Sequence, residues 1–189
     1  MNPDKEKDLL AAARSGDRRS FEQLVRSHQS HVYSLALRML GDPADAEDVL
    51  QETFIALYQN LGRFQERSRL STYLYRLAAN FALMKLRHLR THGGPGRDLA
   101  AAAEIPDLRP SPLEHAVRRE LRDRLQQALL RLPPDERAVL VLRDVEGLGG
   151  RETAQALKLS LPAMKSRLHR GREALRRMML DRTDPEDSP

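Results

Sequence analysis

Hydrophobic residues recur every three or four positions along almost the whole chain, and no stretch alternates cleanly between apolar and polar residues. A spacing of three and four places apolar side chains on one face of an α-helix, whereas strict alternation would indicate a strand. The sequence therefore predicts an all-α protein. The predicted helices span residues 4–15, 20–40, 43–60, 71–90, 113–132, 135–146, 151–158 and 161–177.

Residues that cap or break helices set these boundaries. Gly16 ends the first helix, and Ser20 is the predicted N-cap of the second, which stops before Gly41. Asp42 is placed to cap a helix that begins with Pro43, since proline is favoured in the first turn. The chain is thus punctuated by residues whose local chemistry favours a helix start or a helix end.

Composition divides the predicted helices into two lobes. Residues 91–112 are rich in Gly, Pro and Ala and offer little apolar surface to offset the entropy of ordering, which indicates a flexible linker. The expected organisation is two small helical domains, 1–90 and 113–180, joined by the linker 91–112 and followed by an acidic tail, 181–189. We expect the linker to make no stable contact with either domain.

The last two predicted helices give the sharpest local pattern, a short helix, a tight turn and a longer helix that Ser160 can cap. The apolar stripe of the longer helix comprises Met164, Leu168, Gly171, Leu175 and Met178. Its opposite, polar and basic face carries Lys165, Ser166, His169, Arg170, Arg172, Glu173 and Arg176. The pattern is typical of a helix-turn-helix, whose second helix enters the major groove of DNA. An ordinary amphipathic helical hairpin would show the same periodicity.

The distribution of charge favours the DNA-binding interpretation. Residues 61–97 contain eight Lys or Arg and one acid, and residues 154–180 contain seven and one. The first sixty residues contain seven basic and ten acidic side chains. The net charge of +5 therefore conceals two concentrated basic segments, which is the electrostatic pattern of a protein that binds a polyanion.

Composition also excludes several kinds of protein and site. The chain has no Cys, which rules out disulfides and thiolate metal ligands, and no apolar run approaches the ~20 residues of a membrane span. His28 and His31 share a helix face but have no evident third metal ligand. No arrangement of nucleophile and base stands out. We therefore expect a cytoplasmic protein that is not an enzyme and holds neither a metal nor another cofactor.

Two predicted helices of the N-terminal lobe carry different surfaces. In 43–60, an acidic and polar face comprises Asp45, Asp48, Gln51 and Glu52. DNA would repel such a face, so it should contact protein, unless it is only a solvated helix start that the helix dipole favours. In 71–90, a second face comprises Arg76, Asn80, Leu83, Arg87 and Arg90. This face suits DNA, because Arg binds phosphates, Asn binds a base edge and Leu83 can cover an exposed base.

Four segments of the chain resemble the extracytoplasmic-function sigma factors of bacterial RNA polymerase. The promoter-binding region of that family is similar to EGLGGRETAQALKLSLPAMKSRLHRGREALRR, and the stretch before it is similar to LPPDERAVLVLRDVEGL. The family's polymerase-binding segment is similar to DPADAEDVLQETF, and its promoter-melting helix to STYLYRLAAN. The segments follow the family's order and cover about 21–90 and 113–177.

The resemblance implies a sigma factor that binds core RNA polymerase and directs promoter recognition, DNA melting and transcription initiation. The coiled coil of the largest polymerase subunit would bind Asp45, Asp48, Gln51 and Glu52. The −10 element would be melted by Phe64, Arg67, Arg69, Tyr73, Arg76, Asn80, Leu83 and Arg87. The −35 element would be bound as duplex by Lys165, Ser166, His169, Arg170, Arg172 and Arg176. An anti-sigma factor would be a further partner. Phe64 is either a base contact or a core residue.

Several residues depart from the family pattern. Tyr73 stands where Trp is common, and Met84 and Lys85 replace a polar pair. Gly150 lies where the family has a more helix-favouring stretch, so the first helix of the helix-turn-helix is expected to start late or fray. Gly171 replaces a common Ala at a cost of about 1 kcal/mol in helix stability.

The alternative function is that of a stand-alone helix-turn-helix repressor or activator. Such a protein usually binds two half-sites as a symmetric dimer. No additional dimerisation segment is evident in the sequence. Binding to core RNA polymerase would separate the two functions.

Overall fold

The computed structural model describes residues 2–64, 68–91 and 112–180. Every regular element in these residues is helical, which confirms the predicted all-α fold. A short 3₁₀ turn, Leu61–Arg63, and a π-helical turn, Val141–Val145, follow the third and sixth helices. The eight α-helices of the described residues are α1 (Pro3–Arg14), α2 (Arg18–Leu40), α3 (Pro43–Asn60), α4 (Leu70–Thr91), α5 (Pro112–Arg131), α6 (Pro134–Leu140), α7 (Gly150–Ala156) and α8 (Leu161–Leu180).

The chain divides into two compact units, Met1–Gly94 and Pro95–Pro189. In the first unit α2, α3 and α4 pack on one another, and α1 lies against α2. Burial of apolar side chains is the main favourable term in such a small helical core. The fully buried residues of this core include Leu24, Val32, Leu35, Met39, Val49, Leu57, Leu70 and Leu74.

Local side-chain chemistry explains how α2 and α3 begin. Asp17, rather than the predicted Ser20, is the N-cap of α2, because its carboxylate accepts hydrogen bonds from two backbone N–H groups of the first turn, each at 3.2 Å. The Ser20 hydroxyl donates to Asp17, which lowers the pKa of that carboxyl. Gly41 ends α2 in the left-handed conformation, with φ at 76°, and Asp42 caps α3 as predicted.

Arg14, the last residue of α1, ties that helix to the chain after α3. Its guanidinium donates to the carbonyl oxygen of Leu61 at 3.3 Å and to that of Phe64 at 2.5 Å. It also lies over the Phe64 ring, 6.0 Å from the centroid. These contacts, here named the Arg14 latch, fix the start of the loop that leads to α4.

The second unit is built around α8, which packs on α5, α6 and α7. One apolar cluster contains Leu129, Leu132 and Leu140, and a second contains Val139, Ala154 and Met164. The second cluster joins α6, α7 and α8, so the helix-turn-helix packs on α6 through a small apolar core. Packing of this kind is the main source of stability for a short helix such as α7.

Arg137 holds the break between α5 and α6. Its side chain is buried, and its Nη2 donates to the carbonyl oxygens of Leu130 and Leu132, the second at 3.1 Å. Both carbonyls lie where α5 ends and the helical hydrogen-bond ladder cannot satisfy them. The buried guanidinium therefore supplies a donor to two buried carbonyl oxygens at the end of α5.

Two predicted boundaries in this unit are corrected. The predicted helix 135–146 begins at Pro134 and passes from α6 into the π-helical turn. The expected late or frayed start of the next helix is wrong, since α7 begins at Gly150. The reason is that the Glu152 carboxylate accepts a hydrogen bond from the backbone N–H of Gly149 at 2.8 Å, which stabilises the first turn.

Most of the predicted linker, 92–111, and the tail, 181–189, lie outside the described residues. The expectation that the linker makes no stable contact therefore stays a prediction. Thr91 and Pro112, its predicted ends, belong to α4 and α5. None of the helices in the described ranges is both long enough and apolar enough to cross a membrane.

Replacing Arg137 with Met should lower the free energy of unfolding by about 1–3 kcal/mol, because two carbonyl oxygens at the end of α5 would lose their donor. Met keeps much of the apolar volume, so packing should change little. Urea denaturation of the full chain measures the effect. Arg151→Met, at an exposed position of α7, is the control and should change stability by less than about 0.5 kcal/mol. Equal effects would contradict the role given to Arg137.

Candidate nucleic-acid and polymerase interfaces

The outer face of α8 is exposed, as the sequence predicts. The N–H of Ala163 donates to Ser160 Oγ at 3.3 Å, which confirms Ser160 as the residue that starts this helix. Met164 and Gly171 face inward. The exposed residues on the outer face are Lys165, Ser166, His169, Arg170, Arg172 and Arg176.

Two of these exposed arginines are held by acids from other elements of the same unit. The Nε of Arg170 donates to Glu136 Oε1 at 2.8 Å. Arg172 donates twice to Asp144, from Nε at 2.8 Å and from Nη2 at 2.7 Å, and these bonds raise its pKa. This side-on fork occupies one of the two edges through which a guanidinium can bind a base or a phosphate bidentately. Arg172 is therefore tied to its own unit, which the spacing of residues along α8 cannot reveal.

The exposed face of α4 differs from the prediction at one residue. Leu83 is 7% exposed and packs in the core, so its predicted place on the DNA-binding face is wrong. The buried stripe of α4 drifts around the helix from Leu74 through Ala79 to Leu83, since 3.6 residues make a turn. Met84 takes the outward place instead and is 57% exposed. The exposed or half-buried residues of this face are Arg76, Asn80, Met84 and Arg87.

The N-terminal turns of α4 hold their polar side chains through local contacts. The guanidinium carbon of Arg76 lies 5.0 Å from the centroid of the Tyr73 ring, within the range of a cation–π interaction. The Asn80 amide donates to the carbonyl oxygen of Arg76 at 2.7 Å. Tyr73 and Arg76 are thus oriented together near the N-terminal end of α4.

Phe64 belongs to the core. Its side chain is buried, and its ring centroid lies 5.0 Å from that of Tyr73. Together with the Arg14 latch, this contact favours the core alternative over a base contact, and the role of Phe64 in base binding stays a prediction. Arg69 is exposed beside α4, and Arg67 lies outside the described residues.

The acidic face of α3 is narrower than predicted. Asp48, Gln51 and Glu52 are exposed, but Asp45 is buried, and its predicted outward orientation is wrong. Its Oδ1 lies 3.1 Å from Nζ of Lys85 on α4, which also pairs with Asp48. Burial opposes the charge of Lys85, but hydrogen bonds to Asp48 and Asp45 outweigh it and raise the pKa. The ion pair with Lys85 therefore draws Asp45 inward.

Two large apolar side chains extend this face, and the charge pattern alone does not single them out. Ile55 is 56% exposed and Tyr58 is 59% exposed. The Tyr58 ring meets the half-buried Phe21 ring edge-on, with centroids 5.1 Å apart. Helical spacing could have identified both residues in the sequence, because Gln51, Ile55 and Tyr58 follow one another at intervals of four and three. Adjacent exposed apolar residues on one helix face are typical of a protein-binding surface.

The sequence matches two protein-family models. Residues 24–92 match sigma-70 region 2, and residues 122–175 match sigma-70 region 4. The ECF RNA polymerase sigma factor SigW of Bacillus subtilis is 33% identical over 181 residues. That alignment covers 93% of this chain and 97% of SigW.

Solved structures of sigma factors share the fold. The structure of CnrH in complex with the cytosolic domain of CnrY aligns with a TM-score of 0.65 at 27% identity, over 93% of this chain and 97% of CnrH. RpoE from Bartonella quintana, solved in complex with the anti-sigma factor NepR, aligns with a TM-score of 0.66 at 20% identity, over 87% of this chain and 99% of RpoE. At that lower identity the likeness concerns the fold alone.

The chain contains sigma-70 region 2 followed by sigma-70 region 4, and it aligns with nearly the full length of SigW. These matches define a transcription initiation factor of the sigma-70 type. The chain belongs to the extracytoplasmic-function family of RNA polymerase sigma factors. Its function is to bind core RNA polymerase and to direct promoter recognition, DNA melting and transcription initiation. It is an initiation factor rather than a catalytic enzyme.

Replacing Phe64 with Ala should lower the free energy of unfolding by about 3 kcal/mol, since a buried aromatic side chain would leave a cavity. Replacing it with Leu should cost less than about 1.5 kcal/mol and leave promoter opening by the holoenzyme unchanged. Chemical denaturation measures the first effect, and reactivity of unpaired promoter thymines measures the second. A stable Phe64→Leu protein that cannot open promoters would restore the base-contact interpretation.

Proposed function

We propose that the two units of this sigma factor divide its contacts with the promoter. The unit that contains 1–90 binds core polymerase and opens the −10 element, and the unit that contains 113–180 binds the −35 element as duplex, with 91–112 as the connection. The observation that carries this proposal is the placement of the exposed basic faces. One lies on α4 beside the acidic and apolar face of α3, and the other lies on α8 in the second unit.

The face of α3 is proposed to bind the clamp coiled coil of the largest polymerase subunit. Its acidic part comprises Asp48 and Glu52, which DNA would repel, and its apolar part comprises Ile55 and Tyr58. Aromatic and aliphatic anchors within a polar surround are the usual source of binding energy in protein interfaces. Asp45 acts indirectly in this proposal, because it is engaged with Lys85.

The face of α4 is proposed to bind the −10 element. Arg76 and Arg87 can bind phosphates, Asn80 can bind a base edge, and Met84 supplies the apolar contact that the sequence assigned to Leu83. Phe64 and Tyr73 support this face from the core side, and Arg67 and Arg69 of the preceding loop stay candidates for contact with an unpaired base. Stacking on a side chain contributes about 1–3 kcal/mol per base, which helps to offset unpairing.

The face of α8 is proposed to read the −35 element in the major groove. Lys165, Ser166, His169 and Arg170 occupy its N-terminal half, which is the part of a recognition helix that reaches base edges. Arg176 lies farther along and suits a phosphate contact. Arg172 is proposed as a structural tie through Asp144 rather than as a DNA contact.

A cytoplasmic protein regulated by an anti-sigma factor is the corresponding cellular proposal, supported by the complex of the 27% identical CnrH with the cytosolic domain of CnrY. The test is reconstitution of the purified protein with core RNA polymerase on promoters with randomised −35 and −10 elements. Transcription that depends on both elements supports the proposal. Dimeric DNA binding without any binding to core polymerase would identify a stand-alone regulator instead.

Ile55→Ala and Tyr58→Ala should each weaken binding to core polymerase by about 1–2 kcal/mol, because each truncates an exposed apolar anchor. Competition between each variant and the wild-type protein for labelled core polymerase measures this change. Leu180→Ala, which truncates an exposed apolar side chain of α8, is the matched control and should leave the affinity unchanged. Wild-type affinity of both α3 variants would remove the apolar residues from the proposed interface.

Arg170→Ala should weaken promoter binding by about 1–3 kcal/mol and relax the preference at one base pair, as expected for loss of a bidentate contact to guanine. Arg176→Ala should weaken binding similarly for all sequences and reduce its salt dependence, as expected for loss of a phosphate contact. Titration of the holoenzyme with promoter variants at several salt concentrations separates the two effects. If both substitutions leave affinity, preference and salt dependence unchanged, α8 does not read the promoter.

A further inference from the structure

Glu136 lies at the contact between α6 and the recognition helix α8. Its side chain is only 14% exposed, although it carries a carboxylate, and its Oε1 accepts the hydrogen bond from Nε of Arg170. A carboxylate in such a place is costly unless a charged partner compensates it. Arg170 is that partner.

Gly171, the neighbour of Arg170, makes this contact possible. A Cβ atom added to Gly171 would lie 2.9 Å from Cδ1 and 3.3 Å from Cγ of Leu140, and 3.5 Å from the carbonyl oxygen of Glu136. The backbone of α8 thus approaches α6 more closely than a side chain at this residue would permit without displacement of Leu140. The close approach places Arg170 within reach of a carboxylate that is almost buried.

The atoms used by Glu136 distinguish Arg170 from its neighbour Arg172. Glu136 binds Nε alone, and the two Nη groups of Arg170 have no hydrogen-bond partner among the described residues. Asp144, in contrast, binds both Nε and Nη2 of Arg172. Guanine presents two acceptors in the major groove, O6 and N7, and an arginine binds them with two parallel N–H groups. The two Nη groups leave Arg170 able to make this contact while it stays bound to Glu136.

We propose that Glu136 is a positioning residue for promoter reading, which holds Arg170 by Nε so that its Nη groups meet a guanine of the −35 element. This inference rests on the proposed role of α8 and adds a residue from outside the recognition helix. A held side chain loses less rotational freedom on binding than a free one. Because only the correct base pair makes the bidentate contact, this saving raises the affinity for that base pair more than the affinity for an incorrect one. The negative charge of Glu136 also repels phosphates, so the same residue lowers general affinity for DNA.

The competing model is that Glu136 merely competes with DNA for Arg170. Removal of the carboxylate would then raise affinity for the preferred promoter at least as much as for other sequences. Under the positioning model, removal raises non-specific affinity and lowers discrimination. Discrimination at the base pair read by Arg170 therefore separates the models.

The experiment measures binding of the holoenzyme to promoters that carry each base pair at that place, with Arg170→Ala used to identify it. Glu136→Ala and Glu136→Met both remove the acceptor, and the second keeps much of the side-chain volume if the first proves unstable. Either should reduce discrimination about threefold to tenfold, part of what a full bidentate contact provides. Glu136→Gln, whose amide oxygen still accepts a hydrogen bond from Nε, should retain discrimination within about twofold.

Asp144→Ala is the matched control, because it removes an acidic partner of an exposed arginine on the same helix. It should raise non-specific affinity without any change in discrimination at the Arg170 base pair. Unchanged discrimination in both Glu136→Ala and Glu136→Met would overturn the inference. So would a loss of discrimination in Glu136→Gln as large as the loss in those two variants. If Arg170→Ala itself changes no preference, the proposed reading by α8 fails, and that result is distinct from a failure of Glu136 alone.

Discussion

Opposite charges must be kept apart on a small helical protein that offers an acidic surface to one partner and basic surfaces to another. In the first unit the acidic face of α3 and the basic face of α4 belong to neighbouring helices, so their side chains could neutralise one another. Lys85 confines that neutralisation to Asp45 and Asp48 at the seam between the helices. The arginines of α4 stay exposed. Each face keeps the sign of its charge because the pairing with Lys85 is local.

The second unit handles the same constraint differently. Its basic helix has acidic neighbours on α6 and the π-helical turn, and the resulting ion pairs differ in how much of each guanidinium they occupy. Surface ion pairs of this kind contribute little to stability, typically about 0–1 kcal/mol. Their main effect is on direction, because a charged partner limits where a long side chain can point. A pair through one nitrogen limits the direction of an arginine, whereas a fork through two nitrogens holds it more tightly and leaves it fewer free donors.

Local chemistry made much of the fold predictable from sequence. Gly41, Asp42 and Ser160 each act within a few residues of themselves, so their roles in ending or starting helices follow from residue type. The choice of Asp17 over Ser20 as a cap was missed because both residue types suit that role and lie three residues apart. Boundaries governed by long-range contacts were less predictable than boundaries governed by neighbours.

The sequence predicted which helix faces form the candidate sites, but it did not predict correctly every residue on those faces. Leu83 and Asp45 occupy edges of their faces, where a small rotation of the helix or one partner on another helix decides between core and solvent. Phe64 depends on Tyr73 and on Arg14, which is fifty residues away in the chain. Glu136 gives no sign of a functional role in sequence, because its importance comes from contact with a helix that begins 25 residues later.

The Arg14 latch has a consequence for where the functional N-terminal unit begins. The match to sigma-70 region 2 starts at residue 24, after the whole of α1. A fragment cut at that boundary would keep the α3 and α4 faces but lose the guanidinium that holds the carbonyls of Leu61 and Phe64. Phe64 would then keep its contact with Tyr73 but lose its hydrogen bond to α1. A fragment of the N-terminal unit should therefore include α1, although the match to sigma-70 region 2 begins after it.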